Sequence, residues 1–237
     1  MTFRTPIWKA IATSLRSDIT DGLYGAGDKL PTESILAARF GVNRHTVRHA
    51  LAALADDGLV YARRGSGVFV TTTPTDYPIG RRVRFHQNLR AAGRTPAKQV
   101  LLLETRAAHP AEADALQMPH HARVHVYEGL SLAEDRPIAL FRSVFPADKF
   151  PDLLTHLGKD PSVTAALRHF GISDYTRAST RVNAKLATAT QALHLQIAEH
   201  APVLRTISVN ADPDGRPIEV GRTWFAGDKV TLTYTDE

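Results

Sequence analysis

An α+β fold in two parts is predicted for this 237-residue chain, and three observations predict it. Residues 30–70 read as two short helices followed by a glycine-tipped hairpin. Residues 71–78 carry three consecutive threonines and two prolines, a composition that favours an extended linker over a packed helix. Beyond them, alternating apolar runs joined by acidic turns read as an antiparallel sheet, with short amphipathic helices between the strands. The predicted boundaries are a head at 1–73, a linker at 74–78 and a second domain at 79–237.

Taken in order, residues 6–21 place Ile7, Ile11, Leu15 and Ile19 at four-residue steps, with Trp8 and Ala12 beside them. That stripe marks a helix whose apolar face braces the rest of the head. Gly22, Gly25 and Gly27 end it. In the stretch LPTESILAARFGVNRHTVRHALAALADDGLVYARRGSGVFV, Thr32 is placed to cap a helix over 33–40, with Glu33 near its positive end. Gly41 stops that helix and Asn43 caps the next. In the second helix Val47, Ala50, Leu51 and Leu54 fall at i, i+3, i+4 and i+7, which makes one apolar face. Arg44, His45, Thr46, Arg48 and His49 occupy its first turns and point largely elsewhere. Residues 59–61 and 68–70 are the arms of a hairpin whose tip is Arg63-Arg64-Gly65-Ser66-Gly67.

Such a helix can present its first residues to base edges in a major groove, where arginine binds guanine in a bidentate way. A basic tip without bulky side chains suits a minor groove or a phosphate row. A generic helical hairpin with surface arginines is the bland alternative.

The segment 79–107 opens with a basic run, Arg81, Arg82 and Arg84, then a short helix ending at Gly93, then a strand at 98–107. The run reads either as a solvated basic surface or as an anion-binding corner. A short helix is expected at 110–116 and a strand at 123–133. RPIALFRSVF at 136–145 is echoed by RPIEVGRTWF at 216–225. Each copy follows an acidic turn and an alternating strand, so two similar hairpins are expected in one antiparallel sheet. Between them lie helices at 162–170 and 188–195, separated by a strand at 175–186. Arg142 and Arg222 alternate onto apolar strand faces, and a charge there needs a carboxylate, a subunit interface or an anionic ligand as partner.

Composition narrows the classes. Hydrophobic residues make up 43% and charged residues 22%, an ordinary globular balance. Without cysteine there is no disulfide or thiolate metal site, which suits a reducing cytoplasm. No apolar run has the length of a membrane span, and residues 1–22 lack the apolar core of a signal peptide. The net charge of +5 is shared between the two parts, so the clustering of Arg39, Arg44, Arg48, Arg63 and Arg64 says more than the total. His121 and His125 would share a strand face, but with no carboxylate at ligand spacing no metal is expected. No nucleophile elbow, Ser-His-Asp order or phosphate-cradling loop is present, so neither an enzyme nor a cofactor is expected.

The pattern P-T-E-x-x-L-A-x-x-F-G-V-x-R-x-T-V-R-x-A-L-x-x-L-x-x-x-G-L, followed by R-x-G-x-G-x-F-V, closely resembles the winged helix-turn-helix of GntR-type bacterial transcription factors. The resemblance implies base and phosphate contacts from Asn43, Arg44, His45, Thr46 and Arg48, supported by Thr32, Glu33 and Arg39, with Arg64, Gly65 and Gly67 at the wing tip. The order of hairpins and helices that follows resembles the UTRA effector domain of the HutC branch, a chorismate-lyase-like antiparallel-sheet fold that often forms dimers. Within it, Tyr77-Pro78, Arg84-Phe85, Asn88-Leu89 and Gly93 resemble the domain's opening in regulators of phosphonate metabolism, the PhnF group.

That resemblance implies an effector site containing Arg84, Phe85, His86 and Asn88, with Ser162 and Thr164, Glu219 and Phe225, joined by Arg142 and Arg222 if those face ligand. Gly129, Ser131, Phe141 and Phe225 stand where the sugar-phosphate readers carry two arginines, a glutamate and a tyrosine. A smaller anion such as a phosphonate or phosphate fits those departures better. The implied protein is a cytoplasmic homodimeric repressor on a palindromic operator, with recognition helices about 34 Å apart. A HutC-type regulator that responds to a sugar phosphate or an amino-acid derivative is the alternative, and a lyase-like enzyme tethered to DNA is the rival from another class.

Overall fold

A computed structural model describes residues 6–63, 65–71, 74–80, 89, 93 and 95–234. The chain divides into two compact units, Met1–Thr73 and Pro74–Glu237.

The first unit is helical, with a small sheet. Helices α1 (Ile7–Thr20), α2 (Glu33–Phe40) and α3 (Arg44–Asp56) enclose a core of Ile11, Leu15, Leu36, Val47, Leu51 and Leu54. Burying each of the larger side chains contributes on the order of 1.5–3 kcal/mol. Local chemistry sets the boundaries. The Thr32 hydroxyl accepts from the Ile35 amide and the Asn43 carbonyl oxygen from that of Thr46, while Gly41 ends α2 in the left-handed conformation. Strands β1 (Val60–Arg63) and β2 (Gly67–Val70) form the hairpin. A third chain segment pairs beside β2: Leu30 N donates to Val68 O at 2.8 Å, and Val70 N to Asp28 O at 2.9 Å.

In the second unit a six-stranded antiparallel sheet runs in the order β4-β5-β6-β9-β8-β7. Its strands are β4 (Pro96–Ala107), β5 (Arg123–Ala133), β6 (Arg136–Pro146), β7 (Thr176–Leu186), β8 (Pro202–Ala211) and β9 (Pro217–Ala226). Helix α4 (Pro110–Leu116) joins β4 to β5, and α7 (Ala189–Leu195) joins β7 to β8. Each half of the sheet is therefore strand, helix, strand, strand. The two halves meet where β6 pairs with β9, and the echoed segments lie directly against each other, Arg142 opposite Arg222. The duplication runs further than the echo. Gln117 and Gln196 end the two helices at φ 52° and 53°, and His121 and His200 also have positive φ.

Helices α4 and α7 cover one face of the sheet, packing on Val124, Val126, Val144, Leu130 and Leu140. Helices α5 (Leu153–Lys159) and α6 (Val163–Arg168) cover part of the other, against Tyr127, Phe141 and Phe145. Strands β5 and β6 are consequently buried along nearly their whole length rather than alternately. Strand β7 is an edge strand and largely exposed.

Two expectations need correction. The predicted linker 74–78 is a strand, β3 (Thr75–Pro78), paired in parallel with β10 (Val230–Thr233), with Thr75 and Tyr77 turned inward. Proline and threonine favour extended backbone, and extended backbone with a distant partner is a strand. Helix α5 had no counterpart in the sequence reading. The short helix expected to end at Gly93 lies mostly outside the described residues.

The tight turn between β5 and β6 puts Glu134 and Asp135 at φ 50° and 60°, in a two-residue hairpin closed by Ala133 and Arg136. Hairpins of this kind favour glycine at the second position. Glu134 is retained by its side chain, which accepts from the Thr95 amide at 2.7 Å, whereas Asp135 is exposed. Asp135→Gly is expected to stabilise the protein by roughly 0.5–1 kcal/mol, read as a higher denaturation midpoint with an unchanged slope.

Candidate functional site

The basic residues of the first unit divide into those already bonded and those left open. Arg48, exposed on α3, donates through Nε and Nη2 to the two Glu33 carboxylate oxygens at 3.0 and 2.8 Å. The hydrogen bond from Arg48 holds the Glu33 carboxyl below its ordinary value. The fork therefore stands in one orientation on the surface, which lowers the entropy lost when it meets another group. Arg39 donates to Asp18 of α1 at 2.7 Å and lies over the Phe40 ring, so its charge is spent bracing α1 against α2. Asn43 caps α3, and its Oδ1 accepts from both the amide and the hydroxyl of Thr46. Arg44 and His45 are exposed at the start of the same helix. His49 stacks on Trp8 at 4.2 Å, tying α3 to α1.

Arg44 also lines an open cleft of about 410 Å³ with Thr32 and Glu33 on one side and Gly65 and Gly67 of the wing on the other. Five of the residues assigned to DNA reading, Thr32, Glu33, Arg44, Gly65 and Gly67, thus line one cleft. Arg64 lies outside the described residues.

The residues assigned to an effector do not form one group. Arg84, Phe85, His86 and Asn88 lie outside the described residues. Arg142 and Arg222 belong to the face covered by α4 and α7, together with Leu140, Val144, Val220 and Trp224. Arg142 has a carboxylate partner, Glu128, directly across β5 at 2.6 Å, and Arg222 is exposed beside it. Glu219 and Phe225 lie on the opposite face of the sheet, so Arg142 and Arg222 cannot share a pocket with them. Ser162 caps α6, and the Thr164 hydroxyl meets the Tyr175 hydroxyl at 3.0 Å.

That opposite face carries a band of buried polar groups: Ser131, Ser143, Thr206, Ser208, Asn210 and Glu219. Glu219 accepts from the Ser143 hydroxyl at 2.6 Å and from the Asn210 amide at 2.7 Å, and Arg177 in turn donates to Asn210 at 2.8 Å. Two neutral donors thus satisfy the buried Glu219 carboxyl group in the interior of the sheet. Lys98 supplies a cation. Its half-buried ammonium lies 4.7 Å from the Phe141 ring centre and 5.6 Å from that of Tyr127. Burial pushes this ammonium down from 10.5 to about 8, against the pull of Glu219 and Asp160. Burial also pushes the Tyr77 phenol up to about 12 and raises that of Tyr127, whose hydroxyl donates to the Pro161 carbonyl.

The sequence reading missed Lys98, Ser143, Asn210, Arg177 and the tyrosines. The recoverable signal was Thr206, Ser208 and Asn210 at a period of two within an otherwise apolar strand. The structure also explains two departures from the sugar-phosphate pattern as one packing unit. Gly129 stands opposite Phe141 across β5 and β6, and a Cβ at 129 would lie 2.9 Å from the Phe141 ring and 2.4 Å from the Gln99 carbonyl. The phenyl ring fills the space that a side chain at 129 would need.

Among the described residues no cluster of three or more histidines and carboxylates is placed to hold a metal, and no helix is long and apolar enough to cross a membrane.

Comparison with known proteins agrees with this architecture. Residues 8–70 match the model of the bacterial regulatory proteins of the gntR family, and residues 91–231 match that of the UTRA domain. An HTH-type transcriptional regulator of Rhizobium meliloti is 40% identical, over 95% of this chain and 93% of its own length. The probable transcriptional regulator PhnF of Escherichia coli is 31% identical, over 95% and 93%. The crystal structure of PhnF from Mycobacterium smegmatis superposes with a TM-score of 0.68 at 27% identity, covering 96% of this chain and 99% of that one.

The Lys98 ammonium gives a pH dependence of stability. Its folded value of about 8 lies below the ordinary 10.5, so between these values the unfolded chain binds more protons than the folded one. Stability therefore rises with pH across that window, and below it the folded state carries the full cost of the buried charge. Lys98→Met is expected to melt higher than wild type at pH 7 and to converge on it as the pH rises through 8 to 9.5. Paired thermal melts at each pH read the difference directly, and parallel curves would contradict the assignment.

Proposed function

The chain belongs to the GntR family of bacterial regulatory proteins and carries a UTRA domain, and on that basis we propose that it represses phosphonate uptake or metabolism genes until a small anion releases it. At the coarser level it is a ligand-responsive transcriptional regulator. The finer reading has it acting in the cytoplasm as a homodimer of the HutC branch, with two α3 helices in successive major grooves of a palindromic site. Arg44, His45, Thr46 and Arg48 read bases and phosphates, with Glu33 orienting Arg48. The second domain is a sensor and not a catalyst.

The observation that carries the effector reading is Lys98 beside the Glu219 band. Its ammonium lies half-buried against Phe141 and Tyr127 on the face that carries the band, and a cation there suits an arriving anion. Glu219, Asn210 and Ser143 then suit a donor group elsewhere on the ligand, as an aminoalkyl phosphonate would have. Kinship with PhnF at 31% identity supports the same class. The line of two hydroxyls and an amide, Thr206, Ser208 and Asn210, favours a second reading, a sugar phosphate. Ligand releases DNA only if it binds more tightly to the state whose heads are wrongly placed for the operator.

Two measurements test this. A thermal-shift series on the full chain against alkyl and aminoalkyl phosphonates, phosphate, sugar phosphates and imidazole derivatives is expected to show a concentration-dependent rise with a phosphonate. The same compound should release a bound duplex and be recovered chemically unchanged. A rise only with a sugar phosphate or an uncharged ligand would discard the phosphonate reading, and turnover would discard the sensor. Separately, Arg44→Ala is expected to weaken binding to the selected operator by about 1–3 kcal/mol or more while leaving the melting temperature within a degree or two. Unchanged operator affinity would show that α3 does not read the operator through this residue.

A further inference from the structure

We propose that Lys29 is a DNA-phosphate contact, seated in the cleft between α3 and the wing and separate from the base-reading residues. It rests on the DNA-binding reading of the first unit.

Lys29 lines the cleft together with Arg44, Thr32, Glu33, Ser66 and Gly67. Its backbone has no freedom to drift, since residue 29 bridges to Phe69 and its neighbours Asp28 and Leu30 are hydrogen-bonded to β2. The side chain then runs along the wing tip. A Cβ at Gly67 would lie 2.8 Å from Lys29 Cε and 3.6 Å from Nζ. Gly67 itself sits at φ +118°, a conformation open to glycine. The bare backbone at the tip is the slot in which the lysine lies.

The charges around the cleft leave this cation open. Arg39 is bonded to Asp18 and Arg48 to Glu33, whereas Lys29 is exposed and has neither a hydrogen bond nor an ion pair among the described residues. Glu33, the one acidic residue lining the cleft among the described residues, already holds a guanidinium. Lys29 and Arg44 therefore present two cations to a hollow flanked by α3 and by Gly65, Ser66 and Gly67 of the wing. A phosphodiester fits that hollow: it is anionic, it borders the groove that α3 would enter, and a compact ammonium meets it as a point charge without needing a defined fork. Contacts of this kind position a protein on the duplex and carry no sequence information of their own.

The test compares full-length wild type, Lys29→Gln, Lys29→Arg and Arg44→Ala on two short duplexes, one selected by the wild-type protein from a random pool and one of random sequence. Affinity is measured over a range of potassium chloride concentrations. Lys29→Gln is expected to weaken both duplexes by the same factor and to reduce the slope of log affinity against log salt by about one. Lys29→Arg, which keeps the charge, restores most of both. An unchanged slope, or a loss confined to the selected duplex, would overturn the assignment. If Arg44→Ala weakens the selected duplex while Lys29→Gln changes nothing, Lys29 alone is excluded and the DNA-binding reading stands. If wild type binds neither duplex at low salt, both fall. Inorganic phosphate at millimolar concentration should displace DNA no more than chloride of equal ionic strength does. Specific displacement that Lys29→Gln abolishes would mark a free-anion site instead and overturn the proposal.

Discussion

The pairing of β6 with β9 is the constraint on which the second domain depends. Each half of the sheet is a strand, a short helix and a hairpin, and neither half alone could bury its two faces. Joining them edge to edge turns β6 and β9 from edge strands into interior strands of one six-stranded sheet. It also brings Arg142 opposite Arg222, a repulsive arrangement for like charges on neighbouring strands. The two halves resolve it differently. Arg142 has Glu128 across β5, whereas the position across β8 from Arg222 is Ile207, and Arg222 remains in solvent.

The same pairing creates the polar band. With α4 and α7 on one face, the other faces of β6, β8 and β9 bring Ser143, Thr206, Ser208, Asn210 and Glu219 together. A band of this kind is costly unless its members bond to one another, and the Ser143–Glu219–Asn210–Arg177 chain does so. Lys98 completes it from β4, where the faces of Phe141 and Tyr127 stand in for part of the water that its ammonium has lost.

In the first domain the organising chemistry is local. Thr32, Gly41 and Asn43 satisfy or redirect the helix ends within a few residues, and ion pairs, among them Arg39 with Asp18 and Arg48 with Glu33, join the helices. Exposed pairs of this sort add little stability. Their consequence is positional: they separate the cations that brace the helices from those still open at the cleft.

What the amino-acid sequence determined by itself follows from this difference in range. The bounds of α2, its capping residues and the wing were legible because they rest on interactions three to four residues apart and on glycines in left-handed backbone. The strands at 98–107, 123–133 and 175–186 and the two hairpins were legible from alternation and acidic turns. The tertiary structure alone decided what each strand faces and meets. The stretch at 74–78 became a strand because β10, over 150 residues away, runs beside it. Arg142 and Arg222 left the effector group because the register of β6 and β9 turns them toward α4 and α7. Lys98 gained its place because β4 lays it across two aromatic rings belonging to other strands. Periodicity tells which residues share a face, but only the pairing of distant segments decides which face looks into the interior and with what company.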